Sequence, residues 1–255
     1  MKIKDLVNYG KKILAENNIE DSGVISRILA EYILKMQRME LIANEDKQIN
    51  SLDKDRYYLS LIELVQGMPI QYITNNQEFM KINFYVDENV LIPQPDTEIL
   101  VEEVIDIANK IKNVKILDIC TGSGCIGTSI AKYVENSNVI MSDISRNALE
   151  IAKKNYTNNV NKEAKFIESD MFENIKEKFD IIVSNPPYIK TKVIDILPEN
   201  VKKEPYIALD GGEDGLKFYK ILINEAANHL NKERLPLHGN RLWSKRKSRR
   251  NCKRK

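Results

Sequence analysis

The chain has 255 residues, of which 42% are hydrophobic and 30% charged, a composition that suits a soluble globular protein of one large domain or two smaller ones. It contains no run of about 18 apolar residues that would predict a membrane-spanning helix, and its charged first ten residues do not resemble a secretory signal peptide. Three cysteines do not form a secreted disulfide framework, so we expect a cytoplasmic protein.

The formal net charge of +2 hides a strong asymmetry along the chain. Residues 232–255 contain eleven Lys and Arg against one Glu and carry +10, so the first 231 residues carry −8. Nonspecific binding to nucleic acid requires a basic surface that neutralises phosphates. We therefore expect no direct nucleic-acid binding by the acidic body, and the basic tail has to be interpreted separately.

Residues 1–75 are predicted to form a small helical domain. Apolar residues recur at helical spacing over Leu6–Leu14 and more regularly over Val24–Ile33. A further helix, Arg56–Val65, is predicted to end at the helix breaker Gly67. The pattern by itself predicts a helical core, and the same helices could also dock a protein partner.

Residues 76–96 are predicted to be a linker between two domains. Apolar residues alternate through its first half, which is typical of strands and predicts a β-hairpin. Two prolines keep its second half extended, because each disfavours a helical conformation of the residue before it. Asp96 or Thr97 can then cap the following helix through its side chain.

Residues 97–231 alternate between predicted strands and predicted helices. Four apolar segments are predicted to be strands: Val114–Ile119, Val139–Asp143, Lys165–Glu168 and Phe179–Ser184. Helices are predicted between them, and a last one over Asp214–Leu230. This alternation predicts an α/β fold, with a doubly wound, mostly parallel sheet covered by helices on both faces.

A glycine-rich turn follows the first of these strands and begins a helix. Residues 118–127, here called the glycine turn, read Asp-Ile-Cys-Thr-Gly-Ser-Gly-Cys-Ile-Gly. Gly122 and Gly124 allow a ligand to approach the backbone closely, and Gly127 allows the helix to pack against the strand. Asp143, which lies 19 residues after Gly124 at a strand end, can accept both hydroxyls of a ribose.

The glycine turn therefore predicts a nucleoside-containing cofactor, without choosing between a dinucleotide and S-adenosylmethionine. The alternative is a tight turn that needs glycine for its backbone geometry only. Cys120 and Cys125 flank its centre, but no other cysteine or nearby histidine completes a zinc site. We interpret both cysteines as small packing residues and expect no metal.

The most informative segment is Ser184-Asn185-Pro186-Pro187-Tyr188, here called the catalytic turn, directly after the fourth strand. Ligands of open α/β sheets bind outside the carboxyl ends of the strands, so Asn185 should lie beside the glycine turn. The two prolines fix the backbone and leave the carbonyls of Asn185 and Pro186 without competition from local N–H donors. The Asn185 side chain adds a further carbonyl, and Tyr188 adds an aromatic face.

These groups suit the binding of a flat NH2 group. Two acceptors can take its two hydrogens while the Tyr188 ring stacks on its plane. Accepting both hydrogens directs the nitrogen, whose lone pair is delocalised, towards a methyl sulfonium and stabilises positive charge as it develops. Both histidines lie far along the chain, so we do not expect histidine-based catalysis. The alternative is a rigid proline turn in which Asn185 is a helix cap.

From about Gly67 to Ala226 the sequence resembles the family of release-factor glutamine methyltransferases, which includes the HemK proteins. The resemblance rests on the glycine turn, the catalytic turn, and the segments Gly67–Ile73, Glu78–Met80, Leu91–Glu98, Glu204-Pro205 and Ala208–Leu216. The catalytic turn alone is shared with adenine methyltransferases, but the combination is far more specific. Gln94 stands where the family usually has Arg, which puts a cationic contact of the family in question.

The resemblance implies a Rossmann-like class I methyltransferase domain that uses S-adenosylmethionine. The implied cofactor-binding residues are Cys120, Thr121, Gly122, Ser123 and Gly124, with Asp143 at the ribose, Asp170 and Met171 at the adenine, and Asn185. The target glutamine is implied to be bound by Asn185, Pro186, Pro187 and Tyr188, of which Asn185, Pro186 and Tyr188 are implied to be catalytic. The implied substrate is the Gly-Gly-Gln loop of peptide chain release factors, which the helical N-terminal domain helps to recognise.

The end of the chain departs from the family pattern. Family members continue past Leu230 with a hydrophobic strand that ends in Glu-Ile-Gly, followed soon by a glutamine, whereas residues 235–243 read Leu-Pro-Leu-His-Gly-Asn-Arg-Leu-Trp. A set of A/T-rich codons for residues 234–246, regrouped by one nucleotide, encodes Gly-Tyr-Leu-Cys-Met-Glu-Ile-Gly-Tyr-Gly-Gln-Arg. This hidden segment is the strand that the family pattern requires.

We infer that the reading frame shifted near Glu233. Residues 232–255 are then an out-of-frame tail that we expect to be disordered, because it is highly charged and poor in apolar residues. The methyltransferase domain, residues 97–231, would be truncated, with its C-terminal strands missing. The alternative is a natural basic tail for nucleic acid.

Glutamine methylation of a release factor is the leading prediction, and three alternatives remain. The first is glutamine methylation of a ribosomal protein, which the sequence barely separates from the leading prediction. The second is adenine methylation of DNA or RNA, although no base-recognition domain is evident and the body is acidic. The third is a catalytically dead binding module, which a damaged C-terminus would explain.

Overall fold

The computed structural model of the chain describes residues 1–231 and the backbone of residues 236–238. Its α-helices are, in chain order, α1 (Ile3–Glu16), α2 (Ser22–Leu34), α3 (Arg38–Ala43), α4 (Ser51–Val65), α5 (Ile70–Thr74), α6 (Asp96–Ala108), α7 (Cys125–Tyr133), α8 (Arg146–Asn159), α9 (Thr191–Ile194), α10 (Glu199–Lys202), α11 (Tyr206–Leu209) and α12 (Lys217–Glu225), after which a 3₁₀ helix covers Ala226–His229. Its strands are β1 (Gln77–Phe79), β2 (Ile82–Phe84), β3 (Val114–Ile119), β4 (Ser137–Asp143), β5 (Lys165–Glu168), β6 (Ile181–Ser184) and β7 (Pro236–His238). None of the described helices is long and apolar enough to cross a membrane.

The described residues form two compact units. The helical unit consists of Met1–Asn75 together with Pro198–Lys203, and the sheet unit consists of Asn76–Leu197 and the described residues from Glu204 onward. The sequence pattern gave no sign that six residues from the second half of the chain belong to the helical unit. Their contact is nonlocal, since the backbone of Gly67 packs closely against Glu199.

The helical unit is built around one apolar core. The predicted stripes of α1 and α2 supply buried leucines such as Leu6 and Leu29, and α4 adds Tyr57 and Leu61. Helix α4 begins five residues before its predicted start, because the Asn50 side chain accepts a hydrogen bond from the backbone N–H of its third residue and caps it. Packing of these amphipathic faces, rather than helix propensity alone, stabilises such short helices.

A buried hydroxyl cluster makes this core sensitive to volume at Gly10. The Tyr57 hydroxyl lies 2.7 Å from the Ser26 hydroxyl, and Ser26 also donates to the backbone carbonyl of Val7. A β-carbon added at Gly10 would lie 2.0 Å from the Tyr57 oxygen, whereas one added at Gly23 would lie 3.6 Å from the nearest atom, in a flexible lysine side chain. Gly10 is therefore needed for packing, and Gly23 is not.

We expect Gly10→Ala to lower the free energy of unfolding by about 1–3 kcal/mol, the usual cost of overpacking a core. Gly23→Ala is the control, in the first turn of α2, and should be neutral or stabilising by up to about 1 kcal/mol through helix propensity. Urea unfolding of the 255-residue protein, followed by circular dichroism, measures both. Equal midpoints for the two variants would contradict the packing role of Gly10.

The sheet unit contains a five-stranded, all-parallel sheet with the order β5-β4-β3-β6-β7 and a separate antiparallel hairpin, β1–β2. Alternate residues of each central strand face opposite sides: Ile116 packs with one apolar cluster and Leu117 with the other. The first cluster includes residues of α6 and α7, and the second includes Leu222 of α12. Helices thus cover both faces, and the predicted doubly wound α/β fold is confirmed.

Two local predictions in the sheet unit were wrong. The helix expected over Asp214–Leu230 begins only at Lys217, because Gly215 has φ +74° and the Asp214 carboxylate accepts the N–H of Leu216 in a turn. Neither Asp96 nor Thr97 caps α6, because Pro95 before it is already in helical geometry and no side chain forms a capping hydrogen bond. The Thr97 hydroxyl is therefore available for another contact.

The chain is predicted to lack the C-terminal strands of the family, and a strand of three residues lies at the outer edge of β6. Strand β7 pairs with β6 in parallel, with Val183 opposite Leu237. An unpaired strand edge offers N–H and C=O groups that any extended segment can bond, whatever its side chains. The rest of the predicted out-of-frame tail, residues 232–235 and 239–255, lies outside the described residues, and so does its predicted disorder.

Candidate active site

A pocket lies in the sheet unit at the carboxyl ends of β3 and β6, where the strand order reverses. Ile119 at the end of β3 pairs with Ser184 at the end of β6, and the Ser184 hydroxyl donates to the Ile119 carbonyl at 2.7 Å. This pairing places the glycine turn next to the catalytic turn, as ligand sites in open α/β sheets require. The pocket is the place where the sequence predicted cofactor and substrate to meet.

Most of the predicted site residues line this one pocket. They are Cys120, Thr121, Gly122, Ser123, Asp143, Asp170, Met171, Asn185 and Pro187. Gly124, Pro186 and Tyr188 are not among the described residues that line it. Pro186 is buried behind Asn185, whereas Tyr188 is 46% exposed.

The two central glycines of the glycine turn differ in what they face. Both have positive φ, +54° at Gly122 and +77° at Gly124, a region that favours glycine. A β-carbon at Gly122 would have no atom within 4 Å, so this stretch of backbone is open to a ligand. A β-carbon at Gly124 would lie 2.9 Å from that of Ala152 in α8. Gly124 thus permits close packing of the turn on α8, whereas the backbone at Gly122 is the part of the turn that is open to a ligand.

Asp118, the first residue of the glycine turn, fixes the rest of the turn by hydrogen bonds, a role that sequence reasoning missed. Its fully buried carboxylate accepts hydrogen bonds from the Thr121 hydroxyl at 2.5 Å and from the Gly127 N–H at 2.9 Å. Burial raises the pKa of Asp118 to about 7, although both hydrogen bonds oppose the shift. An acidic residue between the apolar residues Leu117 and Ile119 of a strand was the signal that could have identified it.

Asp143, which is predicted to bind a ribose, lies at the end of β4 and is held by two backbone N–H groups. One of its carboxylate oxygens accepts the N–H of Gly122 and the other accepts the N–H of Ser145, both at 2.9 Å. Each oxygen keeps a further lone pair, so the carboxylate can accept two hydroxyls while it stays fixed. Burial raises the pKa of Asp143 above its ordinary value. Together with the open backbone at Gly122, these acceptors fit the nucleoside of S-adenosylmethionine.

We expect Asp143→Ala to weaken S-adenosylmethionine binding by roughly 1.5–3 kcal/mol, the range for hydrogen bonds to a charged group. Asp143→Asn keeps one acceptor and the shape of the side chain, so its loss should be smaller. Isothermal calorimetry on the three proteins measures both effects. If Asp143→Ala binds the cofactor as the wild type does, the carboxylate serves only to fix Gly122 and Ser145.

The side chain of Asn185 has a defined partner on α6. Its amide nitrogen, Nδ2, donates to the hydroxyl oxygen of Thr97 at 3.2 Å, although the two residues are 88 positions apart. The carbonyl oxygen at the other end of the amide is then the group available to accept hydrogen bonds from a ligand. Asn185 and Thr97 both line the pocket.

Two backbone hydrogen bonds fix the segment after the catalytic turn. The N–H of Ile189 donates to the carbonyl of Leu209 at 3.0 Å, and the N–H of Gly211 donates back to the carbonyl of Ile189 at 2.8 Å. A β-carbon at Gly211 would lie 2.6 Å from the Cα of Tyr188. The motif Ala208–Leu216, which the sequence could not explain, thus anchors the chain that leaves the catalytic turn.

Glu204 connects two further signature segments. Its buried carboxylate accepts the N–H of Ile92 at 3.0 Å and so joins Glu204-Pro205 to the segment Leu91–Glu98. Burial raises its pKa to about 7. Gln94 in the same segment lines the pocket and donates its side-chain amide to the Ile92 carbonyl at 3.0 Å. The position occupied by Arg in the family therefore carries a neutral group that is bonded to its own segment.

The raised pKa of Glu204 predicts a pH-dependent stability. The folded state holds the proton more tightly than the unfolded chain, so this contribution to stability is full below about pH 4.5 and is lost as the pH rises through about 7. Glu204→Gln keeps an acceptor for Ile92 and does not titrate. We expect the urea midpoint of the wild type to fall relative to that of Glu204→Gln across this range. Parallel pH profiles of the two midpoints would contradict the assignment.

Of the two cysteines of the glycine turn, Cys125 is buried and Cys120 is half-buried within the sheet unit. Burial raises the pKa of the Cys125 thiol to about 12 and that of the Cys120 thiol further, so both stay protonated. Cys120 packs against Met171, with 3.7 Å between their sulfur atoms. Within residues 1–231, no group of three or more His, Cys, Asp or Glu is arranged to hold a metal ion.

Comparisons with known proteins agree with this geometry. Residues 94–213 match the family model Methyltransferase small domain, and residues 5–74 match the PrmC N-terminal domain. The "Release factor glutamine methyltransferase" of Clostridium acetobutylicum is 44% identical over 229 residues, which cover 88% of this chain and 80% of that protein. The protein of the same name from Clostridium botulinum is 40% identical over 237 residues, which cover 91% and 83%.

A solved S-adenosylmethionine-dependent methyltransferase from Agrobacterium tumefaciens is a weaker match, with a TM-score of 0.46 and 16% identity over 64% of this chain and 51% of that one. The assignment does not depend on it. The close curated relatives span most of both chains, and the family models match both the helical N-terminal region and the segment that contains the pocket. The chain belongs to the family of release factor glutamine methyltransferases.

Proposed function

We propose that this protein transfers a methyl group from S-adenosylmethionine to the side-chain amide nitrogen of the glutamine in the Gly-Gly-Gln motif of peptide chain release factors. The observation that carries the proposal is the position of Asn185. Its side chain lines the pocket formed by the glycine turn and Asp143, and its amide nitrogen is already bonded to Thr97. The carbonyl end is therefore the group left for a substrate NH2.

The cofactor would be held by the open backbone of the glycine turn around Gly122, by Asp143 and by the wall that contains Asp170 and Met171. S-adenosylmethionine, when bound, supplies an electrophilic methyl group. The role of the protein is to orient the amide nitrogen of the substrate, which is a poor nucleophile because its lone pair is delocalised. Orientation of this kind can supply a large part of the rate enhancement.

Asn185 and Pro186 would each accept one hydrogen of the target NH2 group, Asn185 through its side chain and Pro186 through its backbone carbonyl. Pro187 lines the pocket and fixes the backbone, and the exposed Tyr188 ring would cover the plane of the amide. The acceptors also stabilise the positive charge that develops on nitrogen during transfer. No residue needs to act as a strong base before the methyl group moves.

The helical unit supports a protein substrate rather than a small molecule. Helix α4 buries Tyr57 and Leu61 in the core, but it also exposes Leu52, Leu59 and Ile62, each by more than half. Clustered apolar side chains on a surface commonly mark a site for a protein partner. We propose that this helix contributes to recognition of the release factor and that the reaction takes place in the cytoplasm.

Methyl transfer to a purified release factor tests the proposal directly. The protein is incubated with S-adenosylmethionine labelled in its methyl group and with the release factor, and mass spectrometry locates the added methyl group. We expect it on the glutamine of the Gly-Gly-Gln motif, and a release factor with that glutamine replaced by alanine should gain none. Transfer to DNA adenine or to a ribosomal protein, with no transfer to the release factor, would overturn the assignment in favour of those substrates.

A further inference from the structure

Thr97 lies in the first turn of α6 but does not cap that helix. Its side chain is 8% exposed, and its hydroxyl oxygen lies 3.2 Å from Nδ2 of Asn185. Most buried hydroxyls in proteins have a hydrogen-bond partner, because an unpaired one costs free energy. The hydrogen bond to Asn185 thus gives Thr97 a function that the sequence motif alone did not reveal.

We propose that Thr97 is a positioning residue for methyl transfer: its hydroxyl bonds to the side-chain amide of Asn185 and fixes the place of that side chain in the pocket. The proposal rests on the proposed function, which requires Asn185 as an acceptor. A side-chain amide has a donor end and an acceptor end of nearly equal shape. A hydroxyl can accept from the first end or donate to the second, so Thr97 fixes the place of the amide, and the NH2 group of the substrate, which is a donor, pairs only with the carbonyl end.

Both partners of this hydrogen bond stand on rigid parts of the sheet unit. Helix α6 is fixed by Val101 and Val104, which are fully buried in the core. Asn185 follows the buried strand β6, whose last residue, Ser184, is bonded to Ile119, and it precedes two prolines. The hydroxyl and the amide therefore meet without a search through many side-chain conformations, which is what precise placement of a catalytic group requires.

The same hydrogen bond also explains what loss of the hydroxyl would do. Without Thr97, Nδ2 of Asn185 would lose its partner in a half-buried position, and the side chain would turn to find another. We expect binding of the cofactor at the glycine turn to change little, because the hydrogen bonds that hold Gly122 and Asp143 involve neither residue. The effect should therefore appear in the chemical step.

Two substitutions separate the hydroxyl from the volume of the side chain. Thr97→Val has the same shape without the hydroxyl, and Thr97→Ser keeps the hydroxyl without the methyl group. We expect Thr97→Val to lower kcat about tenfold, the scale of one lost hydrogen bond, with KM for the release factor and Kd for S-adenosylmethionine within about twofold of wild type. Thr97→Ser should keep most of the wild-type kcat. A loss that is equal in both variants would show a packing role and overturn the proposal.

A double-mutant cycle tests whether Thr97 acts through Asn185. In an Asn185→Ala background, where no amide remains to be positioned, Thr97→Val should change the residual rate by less than about twofold. An effect of the same size in both backgrounds would mean that Thr97 acts independently of Asn185, and the proposal would be wrong.

Solvent exchange of the Asn185 side-chain amide, measured by NMR, tests the role of Thr97 independently of the proposed function. In ¹⁵N-labelled protein, the side-chain amide signals that disappear in Asn185→Ala belong to Asn185. We expect slow solvent exchange of these protons in the wild type and in Thr97→Ser, and fast exchange in Thr97→Val. If the wild type does not methylate a release factor, the proposed function fails, and the exchange rates alone decide on Thr97. Exchange that is unchanged in Thr97→Val would overturn the positioning role whatever the substrate is.

Discussion

Replacement of Asn185 by alanine is expected to abolish nearly all methyl transfer while cofactor affinity stays close to that of the wild type. The side-chain carbonyl is the acceptor that orients the target NH2 group, and its interaction strengthens as positive charge develops on the nitrogen. Loss of one such oriented contact costs on the order of 3 kcal/mol in the transition state, or roughly a hundredfold or more in kcat. Asn185 touches the pocket beside the cofactor residues, so a small loss of cofactor affinity is compatible with this role.

Single-turnover rates and calorimetric affinities, measured on the same preparations, separate the two effects. Asn158→Ala is a suitable control, because Asn158 is an exposed asparagine in the last turn of α8 that does not line the pocket. It should leave the rate within about twofold of wild type, since surface changes away from a site are usually near neutral. Near-normal turnover in Asn185→Ala would show that Asn185 is only a structural part of the proline turn. The variants and the wild type are compared in the chain that is active, either the present one or the one with the restored reading frame.

Restoration of the alternative reading frame near Glu233 is expected to increase both stability and activity. In the present chain β6 pairs with β3 on one side and, at its outer edge, with β7, a strand of only three residues. The alternative frame encodes Gly-Tyr-Leu-Cys-Met-Glu-Ile-Gly-Tyr, a longer and more apolar segment for the same edge. Each large apolar side chain that it buries contributes about 1.5–3 kcal/mol, which exceeds the cost of about 1.5 kcal/mol for ordering one residue.

The gain should be several kcal/mol, a large part of the 5–15 kcal/mol that stabilises a typical domain. Helix α12 offers surface for such packing, since Ile223 is 63% exposed. Sequencing of the gene tests the frame, and urea unfolding together with methyl transfer compares the two proteins. If no extension exists in the alternative frame, or if the present chain is already as stable and active, residues 232–255 are a natural basic extension.

The sequence predicted the parts of the fold that depend on local pattern. Strands β3 to β6 were predicted from short segments that contain apolar residues between helical segments. The glycine turn was predicted from glycines, which adopt positive φ more readily than other residues. Their adjacency to the catalytic turn followed from a general rule about parallel sheets. What the sequence could not supply were partners distant in the chain. Thr97 resembled a helix cap, and nothing in its neighbourhood pointed to Asn185, 88 residues away.

The assignment of Gly124 shows a second kind of limit. Two glycines in one turn looked equivalent for ligand approach, but the structure distinguishes them by what stands opposite each. Gly122 faces open space, and Gly124 faces Ala152 of α8. Packing of that kind depends on the path of a helix that begins more than twenty residues later, which no local motif encodes.

The membership of Pro198–Lys203 in the helical unit has a consequence for fragments of this protein. The chain passes between the two units after Asn75, before Pro198 and after Lys203. A methyltransferase fragment that begins at Asn76 would keep the six residues but lose Gly67, against which Glu199 packs. Those six residues lead directly into Glu204, which bonds Ile92 beside the pocket. Low activity of such a fragment would therefore reflect a disturbed pocket wall as much as the loss of substrate recognition.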